Sequence, residues 1–210
     1  LVQIHNLPQN HLPDLELARA LVSEGRYEEV ELFYESTPNV LSELIRTAFV
    51  AKPGCRFIIS DYSAIEARVL AWLAGEEWRL QVFETHGKIY EASASAMFHV
   101  PIEEITKTSP LRQKGKISEL ALGYGGAVGA LTSMGALKMG LTEEELPGLV
   151  STWRSANPHI TAFWWAVDDA AITAVRDKKT SRVGRVSFEY KSGILFVTLP
   201  SGRKLSYVKP

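Results

Sequence analysis

Cysteine is nearly absent: the chain of 210 residues carries one, Cys55. A single thiol cannot close an internal disulfide, which excludes a disulfide-stapled secreted scaffold and fits a reducing compartment. No apolar run approaches the roughly 20 residues that a membrane-spanning helix needs, so no membrane partner is expected. Residues 1–10 lack a basic start followed by an apolar stretch and do not read as a secretory signal. Net charge is scarce too: 23 Lys and Arg against 24 Asp and Glu leave −1 at pH 7. Phosphate contacts supply much of the affinity of nucleic-acid binders, which usually carry a basic excess, so composition by itself argues against such a partner. The cations are unevenly spread, however. Arg176, Lys178, Lys179, Arg182 and Arg185 lie close together, with Arg203, Lys204 and Lys209 after them. A solvated turn and tail accounts for that cluster without any ligand. Internal repeats, low-complexity tracts and linkers are also missing.

The hydrophobic share of 46% suffices for one sizeable core, or for a core with a small lobe. Pro8 and Pro13 among polar residues mark residues 1–14 as an extended leading segment. Helical spacing of apolar residues predicts helices over 14–26 and 37–51, and another from Ile65 through Leu73 that stops at Gly75. Between them, after the Pro53-Gly54 breaker, Phe57-Ile58-Ile59 reads as a short buried strand. Further helices are expected over 88–98, 109–123, 142–156 and 158–176, with a short stretch opened by Pro101. The last part changes period. Alternation over 186–190, a turn at Lys191-Ser192-Gly193, a run over 194–198, and a turn at Pro200 to Gly202 before Lys204 predict an antiparallel meander.

Asp61 follows the predicted strand directly. A carboxylate on so rigid a base is placed to bind magnesium, which takes oxygen ligands, often one or two carboxylates plus substrate phosphates. The plainer reading is that Asp61 caps the next helix. Further along, Arg112, Lys116, Leu120 and Tyr124 are spaced by four, a step that drifts only about 40° around a helix. All four therefore share one side. Two cations there suit a triphosphate, Arg by a forked contact and Lys as a point charge, with Tyr124 adding a flat stacking surface. A solvated basic face, paired with Glu119, is the plainer alternative.

The strings around these residues resemble those of family A (DNA polymerase I-type) DNA polymerases, most like the phage-encoded members. Asp61-Tyr62-Ser63-Ala64-Ile65-Glu66-Ala67-Arg68 is similar to motif A, Asp-Tyr/Phe-Ser-x-Ile-Glu-x-Arg. The resemblance implies that Asp61 and the Tyr62 carbonyl bind catalytic Mg2+, and that Glu66 excludes a 2′-hydroxyl as a steric gate. An ordinary surface role for Glu66 and an internal ion pair for Arg68 remain open beside it. The stretch from Arg112 to Gly125 is similar to motif B, Arg-x3-Lys-x7-Tyr-Gly. That implies Arg112 and Lys116 on the incoming triphosphate, Lys116 as proton donor to pyrophosphate, and Tyr124 with Gly125 at the insertion site. Leu120 departs from the family's usual aromatic residue, which keeps an apolar sugar contact but alters its shape. In the segment 87–98 the family's phosphate-contacting histidine is replaced by Tyr90, and His86 is not at the aligned place. Asn6-Leu7-Pro8, the string from Leu41 to Arg46, and the string from Leu199 to Arg203 also resemble family members.

The family's His-Asp-Glu turn, motif C, is absent from the sequence. Asp168-Asp169 is the one adjacent aspartate pair, and its helical, tryptophan-rich setting predicts an exposed position. The expectation is thus an α+β chain: helical fingers with part of an antiparallel palm sheet. Residues 1–75 would be palm with motif A, 76–180 fingers with motif B, and 181–210 short strands. The resemblance implies primer-template DNA and dNTPs as partners, a thumb and a motif C region in a longer parent chain, and the cytoplasm of a bacterial or phage-infected cell. A fragment inactive by itself is expected. The competing expectation is a non-catalytic nucleic-acid-binding remnant, using the basic residues near 176–185 and an exposed Trp153.

Overall fold

The computed structural model describes residues 7–210. Part of the leading segment, including Asn6 of the Asn6-Leu7-Pro8 string, lies outside the described residues. Among the described residues, helices and one antiparallel sheet make an α+β fold, as expected. The chain divides into two compact units, one reaching to Asp61 and the other spanning Tyr62–Pro210.

In the first unit, α1 (Leu15–Ser23) starts where Asp14, in extended backbone, accepts the Leu17 amide at 2.9 Å. That satisfies one of the orphan donors of the first turn. Ala18 and Leu21 of α1 pack with Val30 of α2 (Tyr27–Tyr34) and with Val40 and Leu44 of α3 (Thr37–Leu44). A tighter 3-10 turn, Ile45–Ala48, ends this part. Arg46 ties the leading segment down, donating from Nε to the Pro8 carbonyl at 2.8 Å and from Nη2 to that of Leu7 at 2.6 Å. Glu43 adds an acceptor for the His11 amide. Helix α2 was not anticipated, because it buries only Val30 and leaves Leu32 and Phe33 exposed, so no apolar stripe marks it.

The buried strand expected at Phe57-Ile58-Ile59 is not there. Those residues form no regular element and are 56%, 85% and 90% exposed. A strand exists only by pairing, and no described segment pairs with this one. Its apolar β-branched composition supplies the propensity without the partner.

The second unit contains α4 (Ile65–Ala74), α5 (Glu77–Thr85), α6 (Ile89–Phe98), α7 (Pro110–Leu122), α8 (Val128–Ser133), α9 (Glu145–Ala156) and α10 (Pro158–Asp177). Leu122, Leu131, Leu146, Trp153 and Ile160 form the centre of its helical core, and Trp153 stacks on Trp164 at 5.8 Å. Trp153 is thus fully buried, which corrects its expected exposure; Trp165 is the exposed tryptophan of this region. Asp168 and Asp169 are exposed on α10, as expected.

Four strands follow: β1 (Ser181–Val183), β2 (Val186–Lys191), β3 (Ile194–Thr198) and β4 (Lys204–Val208), paired antiparallel in chain order. Lys191 pairs Ile194, so the β2–β3 loop is Ser192-Gly193, both at positive φ. That is the primed turn whose twist matches the strands, and it needs a residue such as Gly193. Ala170 and Ala174 of α10 pack on Val186, Phe188 and Leu195 and fix the sheet to the helices.

Candidate functional site

Helix α7 begins at Pro110, with the Ser109 hydroxyl accepting the Leu111 amide. It buries Gly115, Ile117, Ser118, Glu119, Ala121 and Leu122. On its other side Arg112 and Lys116 are half-buried, while Leu120 and Tyr124 are exposed. The four-residue spacing therefore delivers the expected row. Tyr124 stands just past the helix end, but Gly123 keeps right-handed helical angles, so the row continues through it. Gly125 then takes φ +78°, a conformation that turns the chain away.

Helix α4 has Ala64 as its N-cap, in the left-handed region at φ +52°, and no side-chain cap. The capping reading of Asp61 is therefore set aside, since the cap position belongs to a residue with no polar side chain. An alanine at positive φ is an uncommon, strained conformation. Arg68 holds this turn: its Nε donates to the Ser63 carbonyl at 2.9 Å and its guanidinium lies over the Phe83 ring. That is a packing and backbone role rather than an ion pair.

Glu66, in the first turn of α4, and Tyr124 line one cleft of about 410 Å³ between α4 and the end of α7. Leu70 and Leu73 give it apolar walls, and Arg79 and Glu119 lie on its lining. Burial, and then the neighbouring Glu66 carboxylate, raise the Tyr124 phenol above its usual value. Neutral Tyr124 is thereby favoured beside the acid.

Arg112 does not stand alone. Its Nε donates to Glu91 Oε1 at 2.7 Å, and its guanidinium lies 5.6 Å from the centre of the Tyr90 ring. Burial pushes the Glu91 carboxyl up, but hydrogen bonding to Arg112, a backbone amide, and the charges of Arg112 and Lys88 hold it below the ordinary range. Glu119, the partner considered for the basic face, is turned inward instead. It pairs with buried Arg79 and accepts from Ser93 Oγ at 2.8 Å and Trp153 Nε1 at 3.0 Å. Asn157 Oδ1 takes a further Arg79 proton at 2.9 Å. Glu76, also buried, accepts the His159 and Ile160 amides and so caps α10 from a distant part of the chain. Sequence reasoning missed this polar centre. The one available signal was the arginine in the first turn of α5, with no apolar stripe around it.

The basic cluster is largely engaged within the protein. Arg176 pairs with Asp177, Lys178 caps the Tyr190 ring, Arg182 donates to the Gly184 carbonyl, and Arg185 lies over Trp72.

Asp61 and Tyr62 are both exposed. Among the described residues no three His, Cys, Asp or Glu side chains stand close enough to share a metal ion. Asp61 and the Tyr62 carbonyl are hard oxygen donors of the kind magnesium takes, but they are a partial set. No described helix is long and apolar enough to cross a membrane.

Comparison with known proteins matches residues 37–182 to the profile of DNA polymerase family A. A DNA polymerase of Bacillus phage SP02 is 62% identical over 211 aligned residues, covering 100% of this chain and 33% of that protein. The thermostable DNA polymerase I of Thermus thermophilus is 32% identical over 59% of this chain and 14% of its own length. DNA polymerase I of Pseudomonas aeruginosa is 27% identical over 69% of this chain and 15% of its own length. The chain thus spans about a third of the phage relative and less of the bacterial ones.

Proposed function

The chain belongs to DNA polymerase family A, and from that premise we propose that it carries the nucleotide-binding face of an enzyme that adds dNTPs to a primer 3′-OH on a DNA template. The observation that carries this reading is the row Arg112, Lys116, Leu120 and Tyr124 on the open side of α7, with Glu66 across the cleft from Tyr124. Arg112 and Lys116 hold the triphosphate, and Lys116 gives a proton to the departing pyrophosphate. Glu66 presses on the sugar and rejects a 2′-hydroxyl. Leu120 gives the sugar an apolar contact, and Tyr124 stacks at the insertion site where Gly125 lets the template base approach. In this division residues 1–75 are palm, 76–180 fingers and 181–210 the short strands that follow.

Asp61 and the Tyr62 carbonyl would hold Mg2+, with nucleotide phosphates and a second carboxylate completing the shell. When bound, the metal supplies neutralisation of charge at the attacking and leaving oxygens. The sequence has no His-Asp-Glu turn to give that second carboxylate, and Asp168-Asp169 points to solvent from α10. Motif C and thumb regions would come from a longer parent, a reading supported by the third of the phage relative that this chain covers, and the 210 residues would not extend primers efficiently by themselves. The setting is the cytoplasm of a bacterial or phage-infected cell.

Primer extension tests both statements. In the intact parent polymerase, Asp61→Ala abolishes synthesis, while Arg112→Ala and Lys116→Ala chiefly raise the dNTP concentration needed. Unchanged extension by all three variants sinks the site assignment. Robust, Asp61-dependent extension by the 210 residues sinks the claim of inactivity. The reading as a non-catalytic DNA-binding remnant gains no observation, since four of the five cations of its basic cluster are engaged within the protein and Trp153 is buried.

A further inference from the structure

Assignment of Arg112 to a triphosphate leaves Glu91 unexplained. On charge alone, an acid beside that arginine competes with the anion. The packing of α6 against α7 shows another role. A Cβ added at Gly115 would lie 2.3 Å from the Tyr90 carbonyl oxygen and 3.0 Å from Ala94 Cβ, so the two backbones are in contact there. This approach carries Glu91, the residue after Tyr90, up against Arg112. The contact is made by one particular nitrogen. Glu91 accepts from Arg112 Nε, the inner donor, at 2.7 Å. The two Nη groups make no hydrogen bond among the described residues, and the Arg112 side chain is still 21% exposed. The Tyr90 ring bounds the guanidinium plane from a second direction. A flexible arginine loses side-chain freedom when it grips an anion, and one already held loses less.

We propose that Glu91 is a positioning residue that holds Arg112 through Nε, so that both Nη groups face outward as a fork for the triphosphate of an incoming nucleotide. This rests on the assignment of Arg112 to that triphosphate. Sequence reasoning found Arg112 by its spacing but had no means to find Glu91, which lies 21 residues away on another helix.

The test titrates tripolyphosphate, and separately Mg-dATP, into the 210-residue chain by calorimetry, with thermal unfolding run on each variant. Arg112→Ala weakens binding by about tenfold, the worth of a charge-assisted hydrogen bond. Glu91→Ala weakens it severalfold, although a negative charge has been removed. Glu91→Gln, whose side-chain carbonyl still accepts the Nε proton, binds close to the parent. If Glu91→Ala and Glu91→Gln both bind as tightly as the parent or tighter while Arg112→Ala is impaired, Glu91 is only a competitor and the proposal is overturned. If Arg112→Ala costs nothing, the triphosphate assignment itself fails and takes the proposal with it. Should Glu91→Ala not fold, solvent exchange of the Arg112 Nε proton in the parent chain decides by nuclear magnetic resonance. Slow exchange is expected, and exchange as fast as that of an unpartnered arginine overturns the proposal.

Discussion

Arg79 Nη1 lies 2.9 Å from Glu119 Oε1 in the interior of the second unit, where the residues are 0% and 7% exposed. The pair joins α5 to the buried side of α7, the helix whose open side carries Arg112, Lys116 and Leu120. Ser93, Trp153 and Asn157 complete it from α6, α9 and the start of α10. One buried Arg79 donor, Nε, has no partner among the described residues. A buried ion pair adds little net stability compared with an apolar replacement, but removing one partner strands the other charge. Arg79→Met and Glu119→Gln are therefore each expected to cost about 3–5 kcal/mol. The double variant, which keeps an acceptor for Ser93 and Trp153, should recover most of that loss. A double-mutant cycle from denaturant unfolding checks it; additive losses would mean the pair is not coupled.

Glu91 makes stability sensitive to acid in a definite direction. Its folded carboxyl titrates below the ordinary 4.5, so its contribution is complete above that value and is lost as pH falls through the folded value. The melting temperature of the parent chain should exceed that of Glu91→Gln near neutrality. The gap should close as pH drops below the ordinary carboxyl range. A gap constant down to the acid limit would show that the charge on Glu91 contributes nothing. Glu29, Glu145 and Asp177 are also lowered, but they are more exposed, and solvent screens their share.

Two glycines in helices should respond oppositely to alanine. Gly115 has no room, because its Cβ would meet the Tyr90 carbonyl. Gly115→Ala should force α6 and α7 apart, destabilise the chain by roughly 1–3 kcal/mol and loosen Arg112 from Glu91. Gly148, inside α9 and facing solvent, has nothing near its Cβ position among the described residues. Gly148→Ala should stabilise by about 0.5–1 kcal/mol through helix propensity alone. Thermal unfolding of both variants tests the contrast.

Legibility followed burial of apolar surface. Helices α1, α4, α6, α7, α9 and α10 each carry an apolar pattern with breakers at their ends, and the meander of β2, β3 and β4 alternates between clear turns. Helices α2, α5 and α8 have no such pattern. One leaves Leu32 and Phe33 in solvent, one buries an arginine, and one is six residues long. Strand β1 is only three residues. At Phe57-Ile58-Ile59 the pattern misled, since β propensity is realised only with a partner strand.

The amino-acid sequence by itself determined the family strings, the period of most elements, and the alignment of Arg112, Lys116, Leu120 and Tyr124, because each depends on residues near one another along the chain. Tertiary structure alone decided that Glu119 turns inward to Arg79, that Trp153 is core, and that Glu91 grips Arg112. Those facts depend on how separate helices pack, and no local spacing encodes which side chain another helix will bring to meet it.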